Sequence, residues 1–459
     1  MDGLEIKGKR VLVVGLGKSG VASALFLRGQ GARVTVSDAK SEDQLRQEIP
    51  VLLDRGIVVE TGRHGERTFR DQDLIVVSPG VPSHVAPLEQ ARRRGIPVIG
   101  EIELAYRFLP GHIAAITGSN GKTTTTTLTG EIIASGGGMT LVGGNIGTPA
   151  VTFVEQSSPE TWVVLEVSSF QLETVDRFRP RIAAVLNITP DHLDRHGSME
   201  GYIAAKARIF ENQTAEDFAV LNADDANAAA LAPQVKAQLY WFSRVKEVER
   251  GAFVREGKIL FRDAAGEREI AGAGEIALKG AHNVENVLAA VTIGVLSGVE
   301  AGKIARAVRN FRAVEHRLEF TAEVAGVQYF NDSKATNVDA TIKALESFPG
   351  GVHLILGGKH KGSPYTVLRE LIDERVKGVY TIGVAASIIE QDLRGCKAPL
   401  YSCGTLEAAL RRASGNAVAG DVVLLAPACS SFDQFDSYEQ RGRVFKDLVA
   451  KMAGEARSR

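Results

Sequence analysis

The sequence predicts a mainly parallel α/β protein that is divided into more than one domain. Short apolar runs that end in glycine or polar turns alternate with helix-like segments along the whole chain, which is typical of parallel sheets flanked by helices. The chain has 459 residues, a length at which two or three domains replace a single hydrophobic core. With 44% hydrophobic and 24% charged residues, the composition is that of an ordinary globular protein.

Charge and cysteine content narrow the classes of function. The 54 basic and 55 acidic residues give a net charge of -1, so nothing in the overall charge attracts nucleic acid or an anionic membrane. Three widely spaced cysteines argue against a disulfide framework and against a Cys-x-x-Cys metal site. The first residues, MDGLEIKGKR, contain neither a signal peptide nor a membrane span. We expect a cytoplasmic monomer that binds small molecules, with no nucleic acid partner and no membrane insertion.

The first predicted unit covers residues 1–101 and has a Rossmann-like pattern. It begins RVLVVGLGKSGVASALFLRGQGARVTVSDAK, a strand, a G-x-G-x-x-G turn, a helix and a second strand ending at Asp38. The turn contains three glycines, Gly15, Gly17 and Gly20. An acidic residue about twenty positions further on completes the dinucleotide-binding fingerprint, which favours a nicotinamide enzyme. Residues 75–84 predict another strand, and residues 96–108 a last strand that leads into a connecting helix.

The second predicted unit covers residues 102–313 and opens with an altered phosphate loop, AAITGSNGKTTTTTL. The common loop is G-x-x-x-x-G-K-[ST], and Ile116 stands where its first glycine would be. An apolar strand still precedes the loop, glycines let the backbone approach phosphate, and a helix N-terminus can follow. Lys122 would then contact the outer phosphates and Thr123 a magnesium ion. An ordinary strand-to-helix turn with a surface lysine is the alternative from this segment alone.

Two further strands of this unit end in polar side chains. Glu166 comes at the end of the run WVVLE, and His192 follows the run IAAVLNITPD. Beside phosphate oxygens, a carboxylate and an imidazole form a plausible magnesium environment. Taken singly, Glu166 could be a hydrogen-bonded strand-end residue and His192 an ordinary loop histidine. Residues 240–277 predict a small antiparallel patch, and the helix of KGAHNVENVLAAV closes the unit.

Lys206 and Arg317 are two basic residues in unusual surroundings. Lys206 lies in the helical segment GYIAAKARIFEN, on the same face as residues that should be buried. There it could extend to solvent, pair with a carboxylate or change its chemical state, and the sequence favours pairing. Arg317, in AVEHRLE, could reach the phosphates of a nucleotide bound by the second unit, or could belong to a solvated pair in a linker.

The third predicted unit covers residues 314–459 and contains three apolar strands. They lie in VQYFNDSKATN, VHLILGGKHKG and DVVLLAPACSSFDQF, and each runs directly into a turn of small and polar residues. Ligands of open parallel sheets bind beyond the carboxyl ends of the strands. We therefore expect these three turns to converge on one site.

Eight motifs together resemble the Mur ligase family, across nearly the whole chain and in the family's order and spacing. They are ITGSNGKTTTT, LEVSSFQLE, NITPDHLDRHG, YIAAKARIFEN, AHNVENVLAA, EHRLE, NDSKATN and PACSSFDQF. The altered phosphate loop is the family's own form. NDSKATN with SSFDQF is most similar to the members that add D-glutamate.

This resemblance implies a fold and a reaction. It implies three α/β domains: a Rossmann-like N-terminal domain, a central P-loop-type ATP-binding domain with a mainly parallel sheet, and a Rossmann-like C-terminal domain. It also implies an ATP-dependent ligase that adds D-glutamate to UDP-N-acetylmuramoyl-L-alanine through an acyl phosphate, in cytoplasmic peptidoglycan precursor synthesis. ATP, two magnesium ions and a carbamate on Lys206 are the expected substrates and cofactors.

The resemblance also assigns roles to residues. The ATP site would contain Gly118, Asn120, Gly121, Lys122, Thr123, Thr124, Asn283, Arg317 and Asp332. Magnesium would be held by Thr123, Glu166, His192 and Lys206 as its carbamate, and the catalytic residues would be Lys122, His192, Lys206 and Lys334. The UDP-sugar would contact Gly15, Ser19, Asp38, Gly80 and Asn145. D-Glutamate would contact Lys334, Thr336, Lys361, Ser431 and Tyr438, with Lys359 as the alternative to Lys361.

Other functions remain open at this point. A related ligase for another amino acid, or a folylpolyglutamate synthetase, would share the central unit but differ in the outer two. A nicotinamide oxidoreductase would explain residues 11–38 and leave the phosphate loop without a purpose. A sugar-nucleotide sensor would bind its ligand without turnover.

Overall fold

Three separate β-sheets, each flanked by helices, make up the chain. The structure is a computed structural model and describes residues 4–276, 278, 280–312 and 315–457. Each sheet is formed by one continuous stretch of sequence. The α/β class and the mainly parallel sheets predicted from the sequence are confirmed.

The first sheet has five parallel strands in the order β3-β2-β1-β4-β5. Its strands are β1 (Arg10–Val14), β2 (Arg33–Ser37), β3 (Val58–Glu60), β4 (Leu74–Val77) and β5 (Val98–Gly100). Its helices are α1 (Lys18–Gly29), α2 (Ile49–Leu53), α3 (Glu66–Arg70) and α4 (Ala86–Arg93). The strands β2 and β3 are added on one side of β1, and β4 and β5 on its other side. The glycine turn after β1 therefore lies at the topological switch point, where doubly wound sheets bind ligands.

The second sheet has nine strands in the order β14-β13-β12-β11-β10-β9-β6-β8-β7. Its strands are β6 (His112–Thr117), β7 (Thr140–Gly144), β8 (Trp162–Glu166), β9 (Ile182–Val185), β10 (Phe218–Asn222), β11 (Gln238–Ser243), β12 (Gly251–Arg255), β13 (Lys258–Asp263) and β14 (Gly266–Gly272). Only the pairs β12–β13 and β13–β14 are antiparallel among these neighbours. The predicted antiparallel patch is therefore present, although β11 belongs to the parallel part.

Eight helices accompany the second sheet in the described residues. They are α5 (Glu101–Phe108), α6 (Lys122–Ser135), α7 (Ser169–Leu172), α8 (Leu193–His196), α9 (Met199–Ala207), α10 (Ala226–Ala229), α11 (Ala281–Leu296) and α12 (Ala301–Asn310). Leu128 and Ile132 of α6 pack with Val287 and Ile293 of α11 in one core cluster. Burying such a side chain stabilises the fold by about 1.5–3 kcal/mol. This packing holds the threonine-rich start of α6 in a helix despite the low helix propensity of threonine.

The third sheet has six strands in the order β15-β16-β20-β17-β18-β19. Its strands are β15 (Glu319–Val324), β16 (Val327–Asn331), β17 (Val352–Gly357), β18 (Val376–Ile382), β19 (Leu400–Gly404) and β20 (Val422–Leu425). Its helices are α13 (Val338–Glu346), α14 (Arg369–Arg375), α15 (Ala386–Asp392), α16 (Leu406–Asn416) and α17 (Tyr438–Arg457). The three strands predicted from the sequence are the adjacent strands β16, β20 and β17, so their carboxyl-terminal turns meet as expected.

The predicted domain boundaries stay predictions. The first falls where β5 runs directly into α5, and the second, at residues 313 and 314, lies outside the described residues. All three cysteines, Cys396, Cys403 and Cys429, have free thiols, as expected. Within the described part of the chain, no helix combines the length and the apolar character that crossing a bilayer requires.

Candidate active site

Two cavities meet at the loop between β6 and α6. The larger has a volume of about 1090 Å³ and receives residues from all three sheet units. The smaller has a volume of about 350 Å³ and lies between the second and third units. Asn120 and Arg317 line both cavities. A ligand group at this loop can therefore be reached from either side.

The loop has the backbone of an anion-binding site. Gly121 immediately precedes α6 and adopts a left-handed conformation with φ of +80°. A Cβ atom at Gly121 would overlap the amide of Asn286 on α11. Only glycine fits this conformation and this space, and it allows a sharp turn into α6. The N-terminal amides of this 14-residue helix follow directly and can bind an anion.

Lys122 is folded back over this loop. Its Nζ atom donates hydrogen bonds to the carbonyl oxygens of Gly118 at 2.8 Å and Ser119 at 2.9 Å. Burial lowers the pKa of Lys122, while Glu166 works in the opposite direction. The ammonium group is thus held where a phosphate at the start of α6 would need a positive charge.

Glu166 provides a buried carboxylate next to the loop. It accepts hydrogen bonds from Thr123 Oγ1 at 2.7 Å and from Asn145 Nδ2 at 2.8 Å. Burial alone would raise the pKa of Glu166, but Lys334, Lys122 and the two hydrogen bonds hold it below its ordinary value. An ionised carboxylate beside a hydroxyl is the kind of oxygen donor set that Mg²⁺ prefers, so Thr123 and Glu166 fit this ion.

His192 lies in a polar cluster that joins the second and third units. Its Nε2 atom is 3.5 Å from Lys361 Nζ, and Lys361 Nζ donates to Asp191 Oδ1 at 3.2 Å. Burial lowers the pKa of His192 to about 4, and Lys361 acts in the same direction. The imidazole is therefore neutral near pH 7, which leaves a ring nitrogen able to bind a metal ion.

Lys206 is almost completely buried, with 1% of its surface exposed. Its Nζ atom donates to the carbonyl oxygen of Gly118 at 2.8 Å and lies 4.6 Å from the centre of the Tyr202 ring. Among the described residues it makes no salt bridge with a carboxylate, so the pairing favoured by the sequence is wrong. Burial lowers the pKa of Lys206 far below that of an ordinary lysine, and Lys122 lowers it further.

Arg317 and Asp332, near the start of the third unit, each have a buried polar atom that makes no hydrogen bond within the described residues. Arg317 Nε and Asp332 Oδ1 are buried and have no hydrogen-bond partner among the described residues. Burial raises the pKa of Asp332 to about 6, although Arg317 works against this. Unsatisfied buried polar atoms are costly, so both groups are suited to a polar ligand in the smaller cavity.

Lys334 and Tyr438 face each other in the larger cavity, whose lining also includes Arg317. Lys334 Nζ donates to the Tyr438 hydroxyl at 2.8 Å and lies 4.5 Å from the ring centre. Burial lowers the pKa of Lys334 to about 8. Tyr438 therefore makes a polar contact as well as packing against the lysine.

The glycine turn of the first unit opens into the larger cavity from the opposite side. Asp38 Oδ2 accepts from Leu16 N at 2.6 Å, and its Oδ1 accepts from Lys40 N at 2.8 Å. A Cβ atom at Gly20 would overlap the carbonyl oxygen of Gly15. Asp38 thus fixes the shape of the turn, since both of its oxygens already accept backbone hydrogen bonds.

The structure brings most of the predicted site residues together. The larger cavity is lined by Gly15, Ser19, Asp38, Gly80, Asn120, Lys122, Asn145, Glu166, His192, Arg317, Lys334, Thr336, Lys361, Ser431 and Tyr438. The smaller cavity is lined by Asn120, Gly121, Thr124, Asn283, Arg317 and Asp332. Gly118, Thr123 and Lys206 lie behind these surfaces. Lys361 lines the larger cavity and Lys359 does not.

Three residues at the contact between the second and third units were missed. Asp191, Asn337 and Asp339 make hydrogen bonds between these units. Asp191 directly precedes His192 in a strand-end turn, so its position alone could have marked it. Asn337 and Asp339 have no local signal of this kind, because their partners are more than 140 residues away.

Comparisons with known proteins agree along the chain. Family models match three segments: the MurD-like N-terminal domain of Mur ligases at residues 9–100, the Mur ligase middle domain at 116–294, and the Mur ligase glutamate ligase domain at 316–429. The chain is 68% identical over 450 residues to the UDP-N-acetylmuramoylalanine--D-glutamate ligase of Koribacter versatilis, covering 98% of this chain and 99% of that protein. It is 61% identical over 455 residues to the protein of the same name from Acidobacterium capsulatum, covering 99% and 98%.

Solved structures share the fold at low sequence identity. A pseudomurein peptide ligase type C from Methanothermus fervidus aligns with a TM-score of 0.60 and 18% identity, covering 97% of this chain and all of the other. The MurF ligase from Thermotoga maritima in complex with ADP aligns with a TM-score of 0.57 and 18% identity, covering 98% and 97%. These likenesses establish the three-unit architecture.

Proposed function

The chain belongs to the Mur ligase family, and we propose that it joins D-glutamate to UDP-N-acetylmuramoyl-L-alanine while converting ATP to ADP and phosphate. High identity over the full length to ligases of that name supports the substrate assignment. We place the reaction in the cytoplasm, as a step of peptidoglycan precursor synthesis carried out by a monomer.

One geometric observation carries the proposal. The phosphate loop lies where the two cavities meet, with Asn120 and Arg317 in the lining of both. ATP in the smaller cavity would direct its terminal phosphate toward the larger one. A long sugar nucleotide that begins at the Gly15 turn would bring its carboxylate to the same place. This arrangement suits phosphoryl transfer between two bound substrates.

The chemistry then proceeds in two steps. A carboxylate oxygen of the acceptor attacks the γ-phosphorus of ATP, and ADP leaves, so that an acyl phosphate forms. The amine of D-glutamate next attacks the acyl carbon, and the tetrahedral intermediate collapses with loss of phosphate and a proton. Lys122 and Arg317 balance the charge of the phosphoryl group during the first step.

The residues present fit a magnesium cofactor. Thr123 and Glu166 would hold one ion, and His192 with Lys206 as its carbamate would hold a second. Magnesium supplies charge neutralisation and orientation of the phosphate oxygens when bound. The lowered pKa of Lys206 favours the neutral amine, which is the form that reacts with carbon dioxide. The carbamate would turn a buried cation into an oxygen ligand.

D-Glutamate would bind beside the third unit. Its two carboxylates need cations and hydroxyls, which Lys334, Thr336, Lys361 and Ser431 supply from the larger cavity. Tyr438 holds Lys334 in place through its hydroxyl. The glycine turn at residues 15–20 would receive the uridine diphosphate, with Ser19, Gly80 and Asn145 also in the lining.

Release of phosphate from ATP tests the proposal. The protein is incubated with Mg²⁺, UDP-N-acetylmuramoyl-L-alanine and one of five amino acids: D-glutamate, L-glutamate, L-alanine, L-lysine or diaminopimelate. Release only with D-glutamate, together with the mass of the amide product, is expected. Release with another amino acid would reassign the substrate within the family. Binding of NADH without any ATP turnover would instead favour the oxidoreductase suggested by the first unit alone.

A further inference from the structure

The contact between the phosphate loop and α13 has no role in the chemistry described above. Asn120 Nδ2 donates to Asp339 Oδ2 at 2.6 Å, although the two residues are 219 positions apart. Thr189 Oγ1 donates to the same carboxylate oxygen at 3.3 Å. We call these two hydrogen bonds the Asp339 contact. They join the second unit to the first turn of α13 in the third.

Each end of this contact is fixed within its own unit. The backbone amide of Asn120 donates to Asn187 Oδ1 at 2.8 Å, and Asn187 Nδ2 donates back to the Asn120 carbonyl at 3.1 Å. On the other side, Asn337 caps α13 by accepting from Ala340 N at 2.8 Å. A displacement of the phosphate loop should therefore displace α13 as well.

The two ends also adjoin two different ligand sites. Asn120 lies between Gly118 and Lys122 in the loop that faces the nucleotide. Thr336 directly precedes the cap of α13, and Lys334 and Thr336 line the larger cavity where the amino acid would bind. Asp339 itself lines the smaller cavity and is three residues from Thr336, which lines the larger one.

The carboxylate depends on donors from the opposite unit. Its hydrogen bonds to Asn120 and Thr189 both cross between units, and among the described residues no cation lies within salt-bridge distance of Asp339. Separation of the units would return the carboxylate to water, so the contact contributes only when the units are together. Hydrogen bonds to an ionised group are stronger than those between neutral groups.

We propose that Asp339 is a positioning residue that couples nucleotide binding at the phosphate loop to amino-acid binding beside α13. The proposal rests on the function proposed above. Coupling between two sites is reciprocal, so each ligand strengthens the binding of the other by the same factor. The shared element is the pair formed by the loop and α13, which are joined by the Asp339 carboxylate and also by the Asn337 amide, a donor to Asn120 and Asp191.

Asp339→Ala tests the coupling. Calorimetry measures the dissociation constant of a non-hydrolysable ATP analogue with Mg²⁺ and the UDP-sugar acceptor, without and with saturating D-glutamate. The ratio of the two constants is the coupling factor. We expect Asp339→Ala to bring this factor about tenfold closer to one and to raise the KM for D-glutamate more than it lowers kcat. Asp339→Asn keeps an acceptor oxygen and should give an intermediate factor.

Glu407→Ala is the matched control. Glu407 lies in the first turn of α16 in the same unit and forms an exposed salt bridge with Arg411 at 3.0 Å, away from both cavities. Its removal should leave the coupling factor unchanged, and equal melting temperatures of the variants would exclude a loss of folding as the cause.

The result that overturns this inference differs from the one that overturns the function. Absence of D-glutamate-dependent phosphate release by the unmodified enzyme would contradict the proposed function. Normal release by the unmodified enzyme, with the same coupling factor in Asp339→Ala or with no coupling in either protein, would contradict the role of Asp339.

Discussion

Lys206 is the residue whose environment departs furthest from that of an ordinary lysine. It is buried on α9, its ammonium group faces the Gly118 carbonyl oxygen, and no carboxylate among the described residues forms a salt bridge with it, although Asp191 and Glu166 act on its charge from a greater distance. The amphipathic pattern of the helix indicated that the lysine is buried. Its contacts could not be inferred, because Gly118 is 88 residues away in the sequence. We therefore favour the change of chemical state proposed above, in which Lys206 becomes a carbamate.

Replacement of this lysine tests that account. Lys206→Ala should lower the rate of phosphate release on the order of 100-fold, because a metal-binding group is lost, and added bicarbonate should not restore it. The rate is measured by coupled phosphate assay, with the surface variant Lys246→Ala as the control. Full activity of Lys206→Ala would contradict a role for the carbamate.

Glu101 provides a test of buried charge away from the site. This residue begins α5, its Oε1 accepts from Val151 N at 2.8 Å, and its Oε2 has no hydrogen-bond partner among the described residues. Burial raises the pKa of Glu101 to about 7 from the ordinary 4.5. The folded protein therefore keeps a proton that the unfolded chain releases between these two pH values.

Stability should fall as pH rises through this window. The contribution of Glu101 to the free energy of unfolding is largest below pH 4.5 and is lost as the pH rises to about 7. At 1.36 kcal/mol per pKa unit, the free energy of unfolding decreases by about 3 kcal/mol over this range. Glu101→Gln should remove this fall, since it resembles the protonated form at every pH. Melting temperatures of both proteins from pH 4.5 to 8 measure the difference, and parallel pH profiles would contradict the assignment.

At the level of elements, the phosphate loop depends on the backbone of one glycine. Gly121→Ala would combine an unfavourable φ of +80° with overlap against Asn286. We expect affinity for an ATP analogue to fall at least about tenfold, since the first turn of α6 must shift. Titration with a fluorescent nucleotide measures this.

Gly137 offers the matched control for that substitution. It lies just beyond the other end of α6, has φ of +101°, and has open space where a Cβ atom would be. Gly137→Ala bears the conformational cost without the overlap, so its nucleotide affinity should not change. Equal affinities of Gly121→Ala and Gly137→Ala would show that the contact with Asn286 is unimportant.

Elements with strong local patterns were predicted well, and elements without them were not. The buried strands β6, β8, β9, β16, β17 and β20 stand out as apolar runs followed by turns. β15 was missed because Glu319–Val324 is only partly buried along its length. β19 was missed for the same reason, and β18 because VKGVYTI has glycine and a charged residue in its first half. Apolar runs therefore revealed most of the buried strands but not all of them, since the interior strands β10 and β18 were missed together with the partly buried β15 and β19.

At the level of the whole molecule, the site is formed by contacts between units that are distant in sequence. Asp339 with Asn120 and Lys361 with Asp191 join the second and third units around the ligand space. The sequence located Asn120 and Lys361 in turns that follow strands, but it did not identify Asp191 or Asp339. It could not establish which side chains meet, because that depends on how the three sheets are arranged.

These contacts predict that ligands close the molecule. Small-angle scattering should show a decrease in radius of gyration, approaching about 23 Å for a compact body of this length, when an ATP analogue, Mg²⁺ and the UDP-sugar are added together. The free protein, with fewer contacts between units, should be larger. Identical scattering curves with and without ligands would contradict closure.

Transfer of labelled oxygen tests the central claim most directly. The acceptor carboxylate is labelled with ¹⁸O at both oxygens and incubated with ATP, Mg²⁺ and D-glutamate, after which the product and the released phosphate are analysed by mass spectrometry. An acyl phosphate predicts the D-glutamyl amide together with phosphate that carries one ¹⁸O atom per molecule. Unlabelled phosphate, or ATP turnover without the amide, would contradict the mechanism.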